Sequence, residues 1–217
     1  ISTDMLVEGV HFDPVYTPMK HLGYKAVVVN ISDMCAMNGT PTHILVSLGI
    51  SNKYSIEHIE KIYEGIKTAC KNYNISLVGG DTTGSSSGLI ISVTILGKSN
   101  SGEAVYRSGA KPQDLLVLTG PLGGAYLGLQ ILEREKRIFN SHSAAQPSLD
   151  KYKYILERQL RPEARIDVVQ MLRRLELRPT SMIDVSDGLS TELAHIGRAS
   201  NIGFRLFEEK IPIKKEV

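Results

Sequence analysis

The stretch Thr17–Ile50, TPMKHLGYKAVVVNISDMCAMNGTPTHILVSLGI, decides the fold class. Thr17-Pro18 reads as a cap followed by proline at the first helical position, opening an apolar helix to about Met37. Gly39 and Pro41 end it, and the β-branched run Ile44–Ile50 follows as a strand. The same alternation continues in both directions. Further strands are predicted at Ile75–Val78, Leu89–Leu96, Leu115–Thr119, Ser181–Val185 and Gly203–Phe207. A helix opens at Ser55, with Ile56, Ile59, Ile62, Tyr63, Ile66, Cys70 and Tyr73 at helical spacing, and Glu57 and Lys61 as an i,i+4 pair outside. Others are predicted from Pro121-Leu122 to about Arg134, after Pro162, and from Gly188 to Ala199, where the Asn201–Gly203 turn stops it. Such alternation predicts an α/β (α+β) architecture.

Composition is that of an ordinary globular chain. It has 217 residues, 42% hydrophobic and 22% charged, with a net charge of +2. Near-neutral charge gives no basic face for nucleic acid. No apolar run reaches the length of a membrane span, and no signal peptide is visible, so a cytoplasmic protein is expected. Cys35 and Cys70 share no metal-ligand spacing and read as small core residues. Ser99–Asp114, rich in Gly, Ser and Lys, reads as a joint between two domains, 1–110 and 111–217. Phe139–Leu149 reads as a surface connection within the second.

Four acidic clusters carry the chemistry. Ser2-Thr3-Asp4 lies in a short β-like segment with His11 seven residues on. Asn30 and Asp33 share one face of the apolar helix. Gly79-Gly80-Asp81-Thr82-Thr83 follows a strand, and Asp184-Val185-Ser186-Asp187-Gly188 runs from a strand end into a helix. Carboxylates beside hydroxyls and glycines, without matching basic residues, suit a hard cation such as Mg²⁺ and hence phosphate chemistry. Each cluster also has a structural reading: an Asx turn, a solvated helix face, a Gly-Gly-Asp hairpin and a helix cap, respectively. Arg107 at the joint is placed either as a surface residue or as a grip for phosphate. Gly120–Gly124 is either an anion-holding loop or a tight turn. There is no Walker A string and no GxGxxG.

Taken in order, these strings resemble the thiamine-monophosphate kinases, of the superfamily that includes aminoimidazole ribonucleotide synthetase and selenophosphate synthetase. The resemblance rests on Ser2–Phe12, Leu22-Gly23-Tyr24-Lys25-Ala26, Asn30–Asp33, Met37–Pro41, Val78–Thr83, Arg107–Ala110, Arg161–Arg165 and Asp184–Leu189. The string through Val7-Glu8-Gly9-Val10-His11-Phe12 separates this family from its relatives. The resemblance implies transfer of the γ-phosphate of ATP to the phosphate of thiamine monophosphate, giving thiamine diphosphate. It implies several Mg²⁺ ions on Ser2, Thr3, Asp4, Asp33, Asp81, Asp184 and Asp187. ATP contacts are implied at Tyr63, Gly80, Asp81, Arg107 and Ser186, and a thiamine-phosphate contact at His11. No catalytic side chain is implied, only positioning of metal and phosphate. The fold implied is two α/β domains, the first pairing with its copy in a homodimer as a β-barrel-like core. No nucleic acid or membrane partner is implied. The family's upstream glycine and paired-aspartate segment and its later Gly-Gly-Glu-Asp string are expected outside this chain. Two positions depart from the family pattern, Asn38 and Gln113 standing where glycine is usual. A ring-closing synthetase of the same superfamily, or a non-catalytic nucleotide-binding scaffold, would share the fold but would not call for His11.

Overall fold

In a computed structural model, residues 1–141 and 149–217 are described. The chain runs β1 (Ser2–Val7), α1 (Met19–Ala36), β2 (Thr40–Ile50), α2 (Ile56–Tyr73), β3 (Ser76–Gly84) and β4 (Ile90–Lys98). There follow α3 (Gly124–Ser141), α4 (Lys153–Leu160), α5 (Ile166–Arg174) and α6 (Leu189–Ser200), with short 3₁₀ turns at Asp150–Tyr152 and Glu208–Lys210. The four strands form one sheet in the order β1-β4-β2-β3. β4 pairs antiparallel with both β1 and β2, while β2 and β3 are parallel and joined through α2.

Strand alternation puts Ile44, Val46 and Leu48 of β2 and Ile91, Val93 and Ile95 of β4 on one buried face. α1 and α2 cover it, contributing Leu22, Val27, Ile31, Ile62 and Ile66. Each such side chain, taken fully out of water, contributes roughly 1.5–3 kcal/mol. The two helices approach closely through a reciprocal pair of glycines. A Cβ on Gly23 would lie 2.0 Å from the Ile62 carbonyl oxygen, and one on Gly65 1.9 Å from that of Lys20. The opposite face of the sheet is left bare, with Met5 52% and Leu45 38% exposed.

Several predicted boundaries move. Pro18 is the N-cap of α1, not its first helical residue, and its carbonyl accepts the Leu22 N–H at 2.9 Å. α2 begins as predicted after Ser55, whose N–H donates to His58 Nδ1 at 3.2 Å. Lys61 pairs with Glu64 at 2.8 Å, not with Glu57. The Gly79–Thr83 cluster is not a hairpin turn but the body of β3, because β2 offers it a ladder as far as Gly84. Between Ile44↔Leu77 and Leu45↔Gly79 the register slips by one, so that Val78 is an extra residue in β3.

The second half is where the sequence reading fails most. Leu115–Thr119, Ser181–Val185 and Gly203–Phe207 form no strand in the described residues. A strand requires a neighbour to take its backbone hydrogen bonds, and none of the described strands lies beside these segments; Leu115 is 91% exposed. α4 was not predicted at all, and α3 runs on to Ser141, absorbing the start of the expected connection. Residues 142–148 of that connection lie outside the described residues. Gly120–Gly124 is a packed turn: the Leu122 N–H donates to the Pro212 carbonyl at 2.9 Å.

The expected joint is no free linker. Val105 is buried, its N–H donating to the Met37 carbonyl, and Asn38 Nδ2 donates to Glu103 O at 3.1 Å. α5 brings Val169 into the core of the first half, and Arg173 donates to Asn38 O and Thr40 Oγ1. Among the described residues no helix is long and apolar enough to cross a membrane.

Candidate active site

β1 sets the first part of the site. Ser2, Asp4 and Leu6 pair with Ile95, Val93 and Ile91, the β4 residues of the helix-covered face. Thr3 and Met5 take the opposite parity. Asp33 approaches from the last turns of α1, and Ser2 Oγ donates to its Oδ2 at 2.5 Å. Asp184 reaches the same place from the segment before α6, where the neighbouring Ser32 favours its charged form.

In this group burial and the charge of Asp33 both disfavour ionisation of its neighbours. Desolvation lifts the Asp4 carboxyl above its ordinary range, and the charge of Asp33 lifts it further, against the opposing influence of His11. Asp184 is raised in the same way, by burial first and then by Asp33, with Glu192 adding to it. Asp33 is thus the shared neighbour of both. The donor chemistry fits a hard divalent cation, which prefers carboxylate and hydroxyl oxygens. Among the described residues, however, no three of His, Cys, Asp or Glu stand close enough together to surround a metal ion by themselves.

His11 sits in the turn after β1, exposed, its Nδ1 accepting the Val7 N–H at 3.0 Å. Glu8 ties that turn down. Its Oε2 accepts from Tyr54 Oη at 2.8 Å and from the Leu89 N–H at 2.7 Å, and Lys53 lies 3.5 Å from Oε1. Burial works against the charge, but the Leu89 N–H, Tyr54 and Lys53 together hold the Glu8 carboxyl below its usual value.

A second grouping lies along β3. Tyr63, Leu77, Gly79, Gly80, Asp81 and Thr82 line a shallow groove of about 380 Å³. Asp81 Oδ1 accepts from the Thr82 N–H at 2.8 Å. Gly80 is required by the sheet itself, since a Cβ there would lie 1.8 Å from the Val46 carbonyl oxygen. The register sets Asp81 beside Ser47 and Thr3 beside Thr94, both at positions of the bare face. Thr3 Oγ1 donates to Val93 O and lies 3.1 Å from Thr94 Oγ1. The structure therefore brings Ser2, Asp4, Asp33 and Asp184 together with His11 nearby, and gathers Tyr63, Gly80 and Asp81 elsewhere. No hydrogen bond among the described residues joins Asp81 to the first group.

The third part is α6. Ser186 and Asp187, both exposed, are held by Glu192, which is only 4% exposed. Its Oε1 accepts from the Asp187 N–H at 3.0 Å and from Ser186 Oγ at 3.4 Å. Glu192 works like the glutamate of a capping box, reaching back over the helix start. Its place in the first turn was the available signal, and the sequence reading passed over it. Arg107 is exposed, and among the described residues its guanidinium makes no ion pair. Ser181 Oγ donates to its carbonyl at 2.8 Å. Cys35 behaves as a core residue: burial, with Asp167 and Asp184 adding to it, pushes its thiol up to about 12.

Comparison with known proteins gives this arrangement its class. Residues 1–99 match the family of AIR synthase related proteins, N-terminal domain. The chain is 36% identical over its whole length to the thiamine-monophosphate kinase of Bacillus subtilis, and spans 64% of that protein. It is similar to the crystal structure of thiamine monophosphate kinase from Aquifex aeolicus, with a TM-score of 0.88 and 32% identity, covering 99% of this chain and 68% of that one. The structure of AaThiL complexed with AMPPCP and TMP matches equally, over 99% of this chain and 64% of that one. The chain belongs to the thiamine-monophosphate kinase family. It spans less than two thirds of the length of the curated relatives it matches, 64% and 66% of those from Bacillus subtilis and Aquifex aeolicus.

Proposed function

We propose that this protein carries out the ATP-dependent phosphorylation of thiamine monophosphate to thiamine diphosphate. The observation that carries the reading is the place of Asp33 at the end of α1, bonded to Ser2 of β1 and neighbour to both Asp4 and Asp184. The family membership supplies the substrates: its members are named for thiamine monophosphate, and AaThiL is complexed with AMPPCP and TMP.

In this reading Asp4, Asp33 and Asp184, with Ser2, Thr3, Asp81 and Asp187, would hold Mg²⁺. The ions supply charge neutralisation between two anionic phosphates that otherwise repel. Arg107 offers a free guanidinium to a nucleotide phosphate. Tyr63, Gly80 and Asp81 border the nucleotide along the β3 groove, and Ser186 meets it from the α6 loop. His11, in a turn fixed by Glu8, faces the acceptor phosphate. An acceptor phosphate oxygen is already ionised near neutral pH, so no side chain need act as a general base. The bare face of the sheet, with Met5 and Leu45 exposed, is where a second copy would pair to make a homodimer. Residues 1–110 form the dimerising domain and 111–217 belong to the second. The setting is cytoplasmic.

The test is to incubate the full-length protein with ATP, Mg²⁺ and thiamine monophosphate and to measure thiamine diphosphate. Product formation supports the proposal. ATP turnover on another acceptor, with no thiamine diphosphate, overturns it. Asp81→Asn is expected to lose turnover and remain folded; unfolding would make Asp81 a structural residue.

A further inference from the structure

Ser200 closes α6, and its hydroxyl is saturated by the segment that carries Arg107. It accepts from the Gly109 and Ala110 N–H groups, each at 3.2 Å, and donates to the Arg107 carbonyl at 3.3 Å. A hydroxyl has one donor and two acceptor sites, and all three are used. At the other end of the same helix, Glu192 holds Ser186 and Asp187. A helix of 12 residues is about 18 Å long and stiff. Its two ends are thus fastened by side chains to the two loops that the kinase reading assigns to metal and to nucleotide phosphate. Gly109 adds to the fit: φ is +116°, and a Cβ there would lie 2.5 Å from the Thr180 carbonyl oxygen, so the loop cannot slide on its neighbour.

We propose that α6 is a spacer between these loops, and that Ser200 is the positioning residue for Arg107. This rests on the nucleotide reading of Arg107. Phosphoryl transfer depends on placing charge accurately, so a guanidinium whose backbone shifts by a fraction of an ångström loses contact with the phosphate it grips. Ser200 touches no substrate itself.

The test uses the full-length protein with Ser200→Ala, Ser200→Thr, Arg107→Ala and the double variant Arg107→Ala/Ser200→Ala. Binding of a non-hydrolysable ATP analogue is titrated directly, and KM for ATP and for thiamine monophosphate and the melting temperature are measured alongside. Ser200→Ala is expected to weaken analogue binding and raise KM for ATP about fivefold, the loss from one well-placed hydrogen-bonding group. KM for thiamine monophosphate stays unchanged, and Ser200→Thr, which keeps the hydroxyl, restores binding. In the Arg107→Ala background Ser200→Ala adds nothing. A lower melting temperature with unchanged analogue binding overturns the proposal, as does an equal loss in the Arg107→Ala background. If Arg107→Ala alone leaves analogue binding intact, the nucleotide reading of Arg107 fails first and takes the proposal with it.

Discussion

Ser2 and Asp33, 31 residues apart in sequence, are joined by a 2.5 Å hydrogen bond that bridges β1 and the end of α1. The bond holds Asp33 where it repels both Asp4 and Asp184. A carboxyl whose folded pKa is raised binds protons better in the folded state. Its contribution to stability is therefore present at low pH and lost as pH rises through the folded pKa. At neutral pH the cluster destabilises the metal-free protein. Asp33→Asn is expected to raise the metal-free melting temperature by about 2–4 °C, the shift for roughly 1 kcal/mol in a chain of this size. Mg²⁺ is expected to raise the melting temperature of the parent protein and not that of the variant. Thermal melts with and without Mg²⁺ at pH 7 check both; a variant that responds to Mg²⁺ as the parent does would show Asp33 to be no ligand.

Glu8 has the opposite sign. Its folded carboxyl lies below its unfolded value, so its stabilisation is present above the unfolded pKa and lost as pH falls through the folded one. With its side chain 14% exposed and three donors around it, Glu8→Ala is expected to cost about 2 kcal/mol in urea unfolding at pH 7. The penalty should shrink in acid. A penalty that does not vary with pH would mean that packing, not charge, carries the effect.

Gln113 and Asn38, the two departures from the family's glycines, both have left-handed backbone, φ 73° and 56°. Asn tolerates this conformation, whereas Gln bears the full steric cost of its Cβ. Gln113→Gly is expected to stabilise the protein by about 1 kcal/mol. Asn38→Gly should instead destabilise it, because the buried Asn38 amide donates to the Glu103 carbonyl. Paired denaturation curves decide it, and a loss on Gln113→Gly would count against the backbone argument.

Gly65→Ala and Gly80→Ala are expected to harm the protein for different reasons. At Gly65 the added methyl drives α2 away from the Lys20 carbonyl, costing about 3 kcal/mol or more. At Gly80 it pushes β3 from β2 next to the Asp81 groove, so nucleotide binding should fall further than stability does. Circular dichroism melts together with nucleotide titration separate the two; equal losses in both would place Gly80 in the fold alone.

The first half was legible because its signals are local. Ser55, Gly39 and Pro41 punctuate it, and the alternation of Ile44–Leu48 and Ile91–Ile95 declares its buried face. β3 was cut short because Gly79-Gly80 looks like a turn until β2 is known to lie beside it. Leu115–Thr119 and Gly203–Phe207 have the composition of strands, but pairing is a property of two segments. α4, with Ile155 and Leu156 adjacent and buried, has no helical period to read. The acidic clusters were visible as chemistry. Their grouping was not, because the parity separating Thr3 from Asp4 depends on register, and Glu192 and Ser200 act on loops remote from any motif.

Val78 has a consequence of its own. A strand is a counting device in which every second residue faces the same way, and β3 miscounts once. Were Val78 to take an ordinary place in the ladder, Asp81 would fall into step with Leu48 and turn toward the helix layer, where the core is closed. The position of this carboxylate is thus fixed by an odd number and not by any contact Asp81 makes. Drawing Val78 into the ladder would leave every functional side chain in the sequence and move the one beside Tyr63 to the wrong side of the sheet.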